Sequence, residues 1–419
     1  MRDWFDVTQP APAIPVEPLE FRRKGVREAR PLAYVVLYVA LYAAFGAASP
    51  FWPKFFETKT VSAQQIGELL AAAMLVRLVS GPVVAALADL LGSLRLVLAG
   101  CAIVAGAASA ALLRADTFVL LLLAALVQAA ALAPTTAIAD ALSVNAAPQQ
   151  RAGRAFEYGW IRGAGSASFV LGTLAVGQLI TSTDLAPVLW VNAILLIAAA
   201  GATVWVPPPA TQAASMGGIR SAADKVFAVL KIAGFRSVIA VSALVYGSHA
   251  MHDAFAVIRW SDSGLPASTI SFLWSEAVLA EVFVFLFIGP VMLDRLGARG
   301  AAIVAAAAGV VRWSVAGLTT SVLLLSLIQP LHGLTFALLH LACMRLVRAV
   351  IPISIAATAQ ALYAFGSGLV TALLTLVSGA IYARYAGAAF LPMAGLCVVA
   401  FPFAWFGFAR RTVRSGTFG

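Results

Sequence analysis

The chain has four histidines. His249 and His252 lie in "GSHAMHDAF", and His332 and His340 in "LHGLTFALLH", two runs that are otherwise largely apolar. Imidazole has an unperturbed pKa of ~6.5 and so exchanges a proton near neutral pH. His249, His252 and Asp253 stand at i, i+3 and i+4, which puts them on one helical face. His332 and His340 are about 80° apart around a helix and can also line one side. Two further acids, Glu276 and Glu281, are about 140° apart on such a helix and serve different surroundings. Desolvated carboxylates titrate closer to neutrality than exposed ones. Histidines facing buried carboxylates would make a proton relay; alternatively, each ring only bonds a backbone carbonyl and packs. Arg77, Arg162 and Arg312 also lie deep in apolar runs, whereas Asp140 and Glu157 fall nearer helix ends. A charge in mid-bilayer is expensive, so each should be paired or face a cavity.

Other chemistry finds no support. There is no nucleophile–base triad, phosphate loop or HExxH pattern. Cys101, Cys343 and Cys397 sit in apolar runs without pairing or metal spacing. No enzyme activity, metal or cofactor is expected.

The elements that must hold these groups follow from composition. Hydrophobic residues make up 62% of the 419, charged residues only 11%, and the mean hydropathy is +0.94. Soluble domains carry nearer ~25% charged residues. Apolar blocks of ~20 residues, enough to cross a ~30 Å hydrocarbon core, recur throughout. The fold class expected is an all-α integral membrane protein with twelve transmembrane helices in two pseudo-symmetric six-helix bundles. Spans are placed at about 32–54, 65–90, 95–114, 117–143, 156–181, 185–206, 236–260, 268–292, 299–317, 321–347, 353–383 and 387–409. Residues 1–30 read as a disordered tail without a signal peptide. An N-terminal bundle over 31–206, a polar linker over 207–235, a C-terminal bundle over 236–410 and a tail over 411–419 complete the plan.

Charge gives the orientation. Lysines and arginines crowd the tails and the loops on their side, leaving only Lys54, Lys59, Arg114, Arg259 and Arg384 on the other. Both termini are therefore expected in the cytoplasm, with the chain multi-pass in the cell (inner) membrane. The formal charge of +10 is a topology signal, not a nucleic-acid patch. The partners expected are the lipid bilayer, protons and a small solute, and the chain is expected to be a monomer.

The halves repeat. "ALADLLGSLR" follows the second span and "VMLDRLGARG" the eighth, giving Asp89, Gly92 and Arg95 in one loop and Asp294, Arg295, Gly297 and Arg299 in the other. The acid can cap a helix end while the glycine allows a tight turn. Small residues on spans 5 and 11 allow close helix approach, whether for sliding or for packing alone. Twelve spans in two repeats with this loop at both places resemble the major facilitator superfamily over residues ~30–410. In the first copy, Leu90 and Ala85 depart from the superfamily pattern.

Finer resemblances follow residue by residue. "FEYGWIRGAGSASF" resembles the fifth helix of the lactose permease and phenylpropionate permease branches. The likeness implies that Arg162 contacts substrate, with Ser166 and Phe169 beside it. Arg162 could bind a carboxylate in bidentate fashion or form an ion pair with Glu157 or Asp140. Arg312 and His332 resemble the Arg–His proton-coupling pair of helices 9 and 10. Thr335 stands where the sugar permease has its proton-carrying glutamate, so Glu281 or Glu276 must take that part, with Asp253 as a further coupling candidate. His249 and His252 replace two acids of span 7, and Gln329 replaces one lysine partner, so the cargo is not lactose. "PLHGLTFALLHLA" and "ATAQALYAFGSG" are most similar to phenylpropionate permease-type proteins.

The resemblance implies proton-coupled import of a small organic anion, an aromatic carboxylic acid such as phenylpropionate, by alternating access. Substrate-binding residues would be Arg162, Ser166, Phe169, His249, His252 and Glu281. Proton coupling would use Glu281, Glu276, Arg312, His332 and Asp253. The alternatives are symport of a nucleoside or sugar, and efflux by antiport.

Overall fold

The computed structural model describes residues 31–146, 158–181, 183–207 and 219–408. Both tails and Glu157 therefore lie outside the described residues, as do parts of the linker. The first half comprises α1 (Pro31–Ala48), α2 (Trp52–Thr58), α3 (Ala63–Leu91), α4 (Leu94–Arg114), α5 (Phe118–Leu132), α6 (Thr135–Ala146), α7 (Tyr158–Leu179) and α8 (Ala186–Ala202). After α9 (Ile219–Lys231), the second half comprises α10 (Ala233–Gly247), α11 (Ala250–Asp262), α12 (Ala267–Phe283), α13 (Gly289–Leu318) and α14 (Val322–Ile328). It ends with α15 (Leu331–Gly333), α16 (Leu339–Val350), α17 (Ala356–Tyr385) and α18 (Leu391–Gly407).

Local sequence sets many of the boundaries. Ser93 and Thr117 cap α4 and α5 by accepting the Leu96 and Leu120 amides. Prolines open α2, α8 and α18, where a missing N–H is harmless, whereas Pro290 at the start of α13 lies within the continuous stretch Ala267–Leu318. The two repeated loops share one backbone event: Gly92 and Gly297 have φ of 61° and 68°, a region that side chains with a Cβ rarely enter. Each turn ends one membrane crossing and starts the next.

Among the described residues, six helical stretches are long and apolar enough to cross a membrane, and two more qualify as bent pairs. Two of the six, Ala267–Leu318 and Ile353–Gly407, run to 52 and 55 residues, enough for two crossings each. They turn at Gly297 and around Ala386, whose φ is 46°. Three details differ from the sequence expectation. The first span bends by 46° between α1 and α2. The polar linker contains α9, set at 85° to the helix that follows it. The eighth and tenth spans each contain one π-helical turn, Val284–Ile288 and Leu334–Leu338.

Three apolar cores hold the molecule. One is built only from the first half, with Tyr34, Leu37, Leu98, Ile138 and Leu196 among its members. A second is built only from residues after 228, with Phe235, Val245, Ala305 and Cys343. Both lie toward the end that carries the tails. The third lies at the opposite end and draws on both halves, joining Phe51, Phe56 and Val188 to Met251, Phe255 and Ile270. Close contacts clamp the halves there. A Cβ on Gly67 would come within 2.9 Å of the Gly379 Cα, and one on Gly177 within 2.2 Å of the Ser271 Oγ. Lys54 of α2 also bonds Asp262 of α11 at 2.8 Å, and it pairs with Glu57 as well. The halves are thus sealed together at the end away from the tails.

Candidate functional site

A cavity of about 640 Å³ lies between the halves. Leu70, Ala73, Met74 and Arg77 follow at three- and four-residue steps, so one face of α3 forms a wall. Phe169 of α7, Gln128 of α5 and Asn192 of α8 extend that side. The second half contributes His249, His252 and Asp253, then Trp274 and Glu281 of α12, Arg312 of α13 and His332 of α15. The shared face expected for His249, His252 and Asp253 does face the cavity.

The charged groups are wired together. Arg312 is fully buried. One of its guanidinium nitrogens donates to His332 Nδ1 at 2.8 Å and another to Gln329 Oε1 at 3.3 Å. A guanidinium only donates, so His332 Nδ1 accepts and the ring proton resides on Nε2. That Nε2 lies 3.3 Å from a Glu281 carboxylate oxygen. Donor and acceptor therefore alternate from Arg312 through His332 to Glu281, across three helices. The π turns begin within three residues of Glu281 and of His332, a feature common at functional sites. Gln329, which replaces a lysine in the resemblance, donates to the Leu273 carbonyl at 2.9 Å.

The span 7 histidines have different surroundings. His249 Nδ1 bonds the Val245 carbonyl at 3.0 Å, and Nε2 meets the Thr335 hydroxyl at 3.0 Å. It is therefore anchored to its own backbone, as the packing alternative foresaw, while still facing the cavity. His252 stacks on Trp274 with centroids 5.0 Å apart and lies 5.7 and 5.6 Å from Trp260 and Trp313. Its Nδ1 is 3.2 Å from Asp253 Oδ1, and its buried Nε2 has no hydrogen-bond partner among the described residues.

Apart from Phe169, the remaining expected residues are not on the cavity wall. The Arg162 guanidinium lies over Tyr42, a wall residue, at 4.7 Å, and its charge reaches Glu281. Ser166 is half-buried on α7 away from the wall, whereas Phe169 is on it. Glu276 points to another surface, near Ser326, as the separation from Glu281 required. Asp140 accepts the Tyr38 hydroxyl. His340 is off the wall, between Phe285 and Tyr363. His340 stands eight residues beyond His332, about 12 Å further along the span at ~1.5 Å per residue, so it lies past the end of the wall even where the two share a side. Loop arginines are engaged within their own halves: Arg95 donates to the Val206 carbonyl at 2.7 Å, and Arg299 lies 5.0 Å over Trp405. Asp294 pairs with Arg345 at 2.9 Å, while Arg295 is exposed. Asp89 lies in the last turn of α3.

Sequence reasoning named Arg77 only as a deep charge and missed Gln128 and Asn192. Ser109 donates to Asn192 Oδ1 at 2.7 Å, Gln128 to Ser109 at 2.7 Å, and Asn192 to the Ala44 carbonyl at 2.8 Å. Amides in apolar helices were the available signal.

Comparison with known proteins agrees with this architecture. The MFS_1 like family model matches residues 32–392. A probable 3-phenylpropionic acid transporter of Escherichia coli (strain K12) is 30% identical over 318 residues, 74% of this chain and 80% of the relative. Among solved structures, the nucleoside transporter NupG superposes with a TM-score of 0.81 at 19% identity, covering 91% of this chain and 99% of its own. A bacterial homologue of the human lysosomal transporter Spinster gives 0.70 at 15% identity, with 90% and 96% covered. These are transporters, not enzymes, and the likeness of the solved structures shows the fold. A multi-pass helical chain with a cavity between two halves, matched over most of its length, belongs to the MFS_1 like family of major facilitator transporters.

Proposed function

We propose that the protein imports a small aromatic carboxylate together with a proton, across the cell (inner) membrane, by alternating access. The two halves, 31–206 and 236–410, rock about the cavity, and the linker between them and both tails face the cytoplasm, as the cation bias supports. The observation that carries this reading is the chain Arg312–His332–Glu281 on the cavity wall, with Arg162 within electrostatic reach of Glu281. Ionised Glu281 is a counter-charge for Arg162. A proton on Glu281 removes that counter-charge and frees the guanidinium for an incoming carboxylate. Proton and anion then favour one another's binding, and by linkage the coupling is reciprocal. Loading both leaves the net charge of the cavity unchanged, with the substrate carboxylate in place of Glu281 as the counter-charge of Arg162, and favours the movement that carries them across. His332, with its proton on Nε2, is the path between Glu281 and the buried Arg312. Phe169 and Trp274 offer faces for an aromatic ring.

The 30% identical relative is named for 3-phenylpropionic acid, which supports this class of cargo. A nucleoside or sugar would need free polar groups on the wall. The Gln128 and Asn192 amides are the candidates, yet Asn192 Oδ1 and Nδ2 and Gln128 Nε2 are already bonded within the protein. That favours the anion. The test is accumulation of radiolabelled 3-phenylpropionate in proteoliposomes under an imposed pH gradient. Accumulation that collapses with a protonophore is expected; uptake indifferent to the gradient would refute the coupling.

A further inference from the structure

The α3 wall holds a cation that the proposed cycle does not use. Arg77 lies at the middle of the 29-residue α3 and faces the cavity. Among the described residues no carboxylate lies within 4.0 Å of it, no hydrogen bond is recorded for its side chain, and no acid acts on it electrostatically. The other deep arginines are engaged, Arg312 by His332 and Gln329 and Arg162 by Tyr42 and the field of Glu281. Arg77 is exposed to the cavity, and its guanidinium carries five donors and stays charged, so a solute that enters meets a cation with no protein counter-charge beside it.

The repeat shows where that demand sits. Leu70, Ala73, Met74 and Arg77 face the cavity from α3, and Trp274, Ala277, Val278 and Glu281 face it from α12 with identical spacing. α3 and α12 are the helices that lead into the two repeated loops. The offset between paired residues is constant along the two stripes and grows by one at the loop acids Asp89 and Asp294. The π turn at Val284–Ile288 accounts for that extra residue. Arg77 is thus the counterpart of Glu281 in the repeat, each the last wall residue of its stripe.

We infer that Arg77 is a binding residue for the substrate carboxylate, holding it from the first-half wall whether or not Glu281 carries a proton. This rests on the anion reading above and adds a residue to it. Arg162 is contested by Glu281 and is released only on protonation, whereas Arg77 has no such rival. The anion can therefore bind Arg77 before the proton arrives.

The test is binding of 3-phenylpropionate to the full-length protein in detergent, measured by thermal shift at two pH values, with the methyl ester as neutral control. Arg77→Gln should weaken binding at least about tenfold at both pH values, Arg77→Lys should restore part of it, and the ester should not distinguish the variants. Arg162→Gln should weaken binding chiefly at the lower pH. Arg77→Gln binding the acid as well as wild type would overturn the assignment and leave the proposed function standing. If the acid does not bind wild type at either pH, the cargo reading falls and the Arg77 assignment falls with it. Should Arg77→Gln not fold, phenylglyoxal labelling of wild type decides. The Arg77 peptide should be protected by the acid and not by the ester, and labelling unaffected by the acid would overturn the inference.

Discussion

Replacing Glu281 with Gln removes one titratable charge while keeping the side-chain shape, and its effect can be sized. Glu281 and a bound carboxylate would share a cavity that, taken as a sphere of 640 Å³, is about 11 Å across, so their separation is on the order of 8 Å. At an effective dielectric of ~20, two like unit charges at that distance repel by about 2 kcal/mol. That is roughly a 30-fold change in affinity. A simple carboxylate ligand stays ionised above about pH 6, so over that range wild type should bind 3-phenylpropionate roughly 30-fold more weakly with Glu281 ionised than with Glu281 protonated. The sign follows from linkage: binding is tightest where Glu281 holds its proton and weakens as pH rises through its titration. Glu281→Gln should bind at the tight limit with no pH dependence over this range, and in vesicles it should exchange substrate without pH-driven accumulation. Titration of the ligand against intrinsic tryptophan fluorescence measures the first effect. A Glu281→Gln protein that keeps the wild-type pH slope would refute the reasoning.

Arg312→Gln should lower the melting temperature of the ligand-free protein, because His332 Nδ1 and Gln329 Oε1 would each lose a partner at about 1–3 kcal/mol apiece; an unchanged melt would contradict the network. Gly177→Leu should prise α7 from α12 at the sealed end, since its Cβ alone would overlap Ser271. Faster alkylation of a cysteine placed at Ile270, as that end opens, would register it, and an unaltered rate would argue against the clamp. Lys54→Ala breaks the pair with Asp262, a half-exposed partner, and should shift the same alkylation rate by only a few-fold, in keeping with ~0.2–1 kcal/mol for such pairs. A large shift would mean that the ion pair, not the glycine contacts, holds the seal.

The fold was legible because its determinants are local. Apolar blocks, the loop pair at Gly92 and Gly297, and the polar break near 207 all follow from length and turn chemistry. The span 7 cluster was legible too, since His249, His252 and Asp253 lie on regular helix where a 3.6-residue period holds. His340 was not. It shares a span with His332 but lies about 12 Å further along it, and angular spacing alone does not say where a cavity ends. Arg77 stood out as a charge, but the role proposed for it depends on what fails to approach it, which spacing cannot express. Gln128 and Asn192 meet only through packing of α4, α5 and α8.

The distribution of the apolar cores sets a direction for the whole molecule. The faces that join Phe51 and Val188 to Phe255 and Ile270 are greasy on both sides, whereas the halves keep their interiors to themselves near the tails. Swinging the other way would wet that joined surface before any compensating seam formed at the opposite mouth. On the proposed cycle the empty protein would therefore rest with its cavity reached from the tail side, and the cargo's task would be less to pull the protein shut than to make leaving that posture worthwhile.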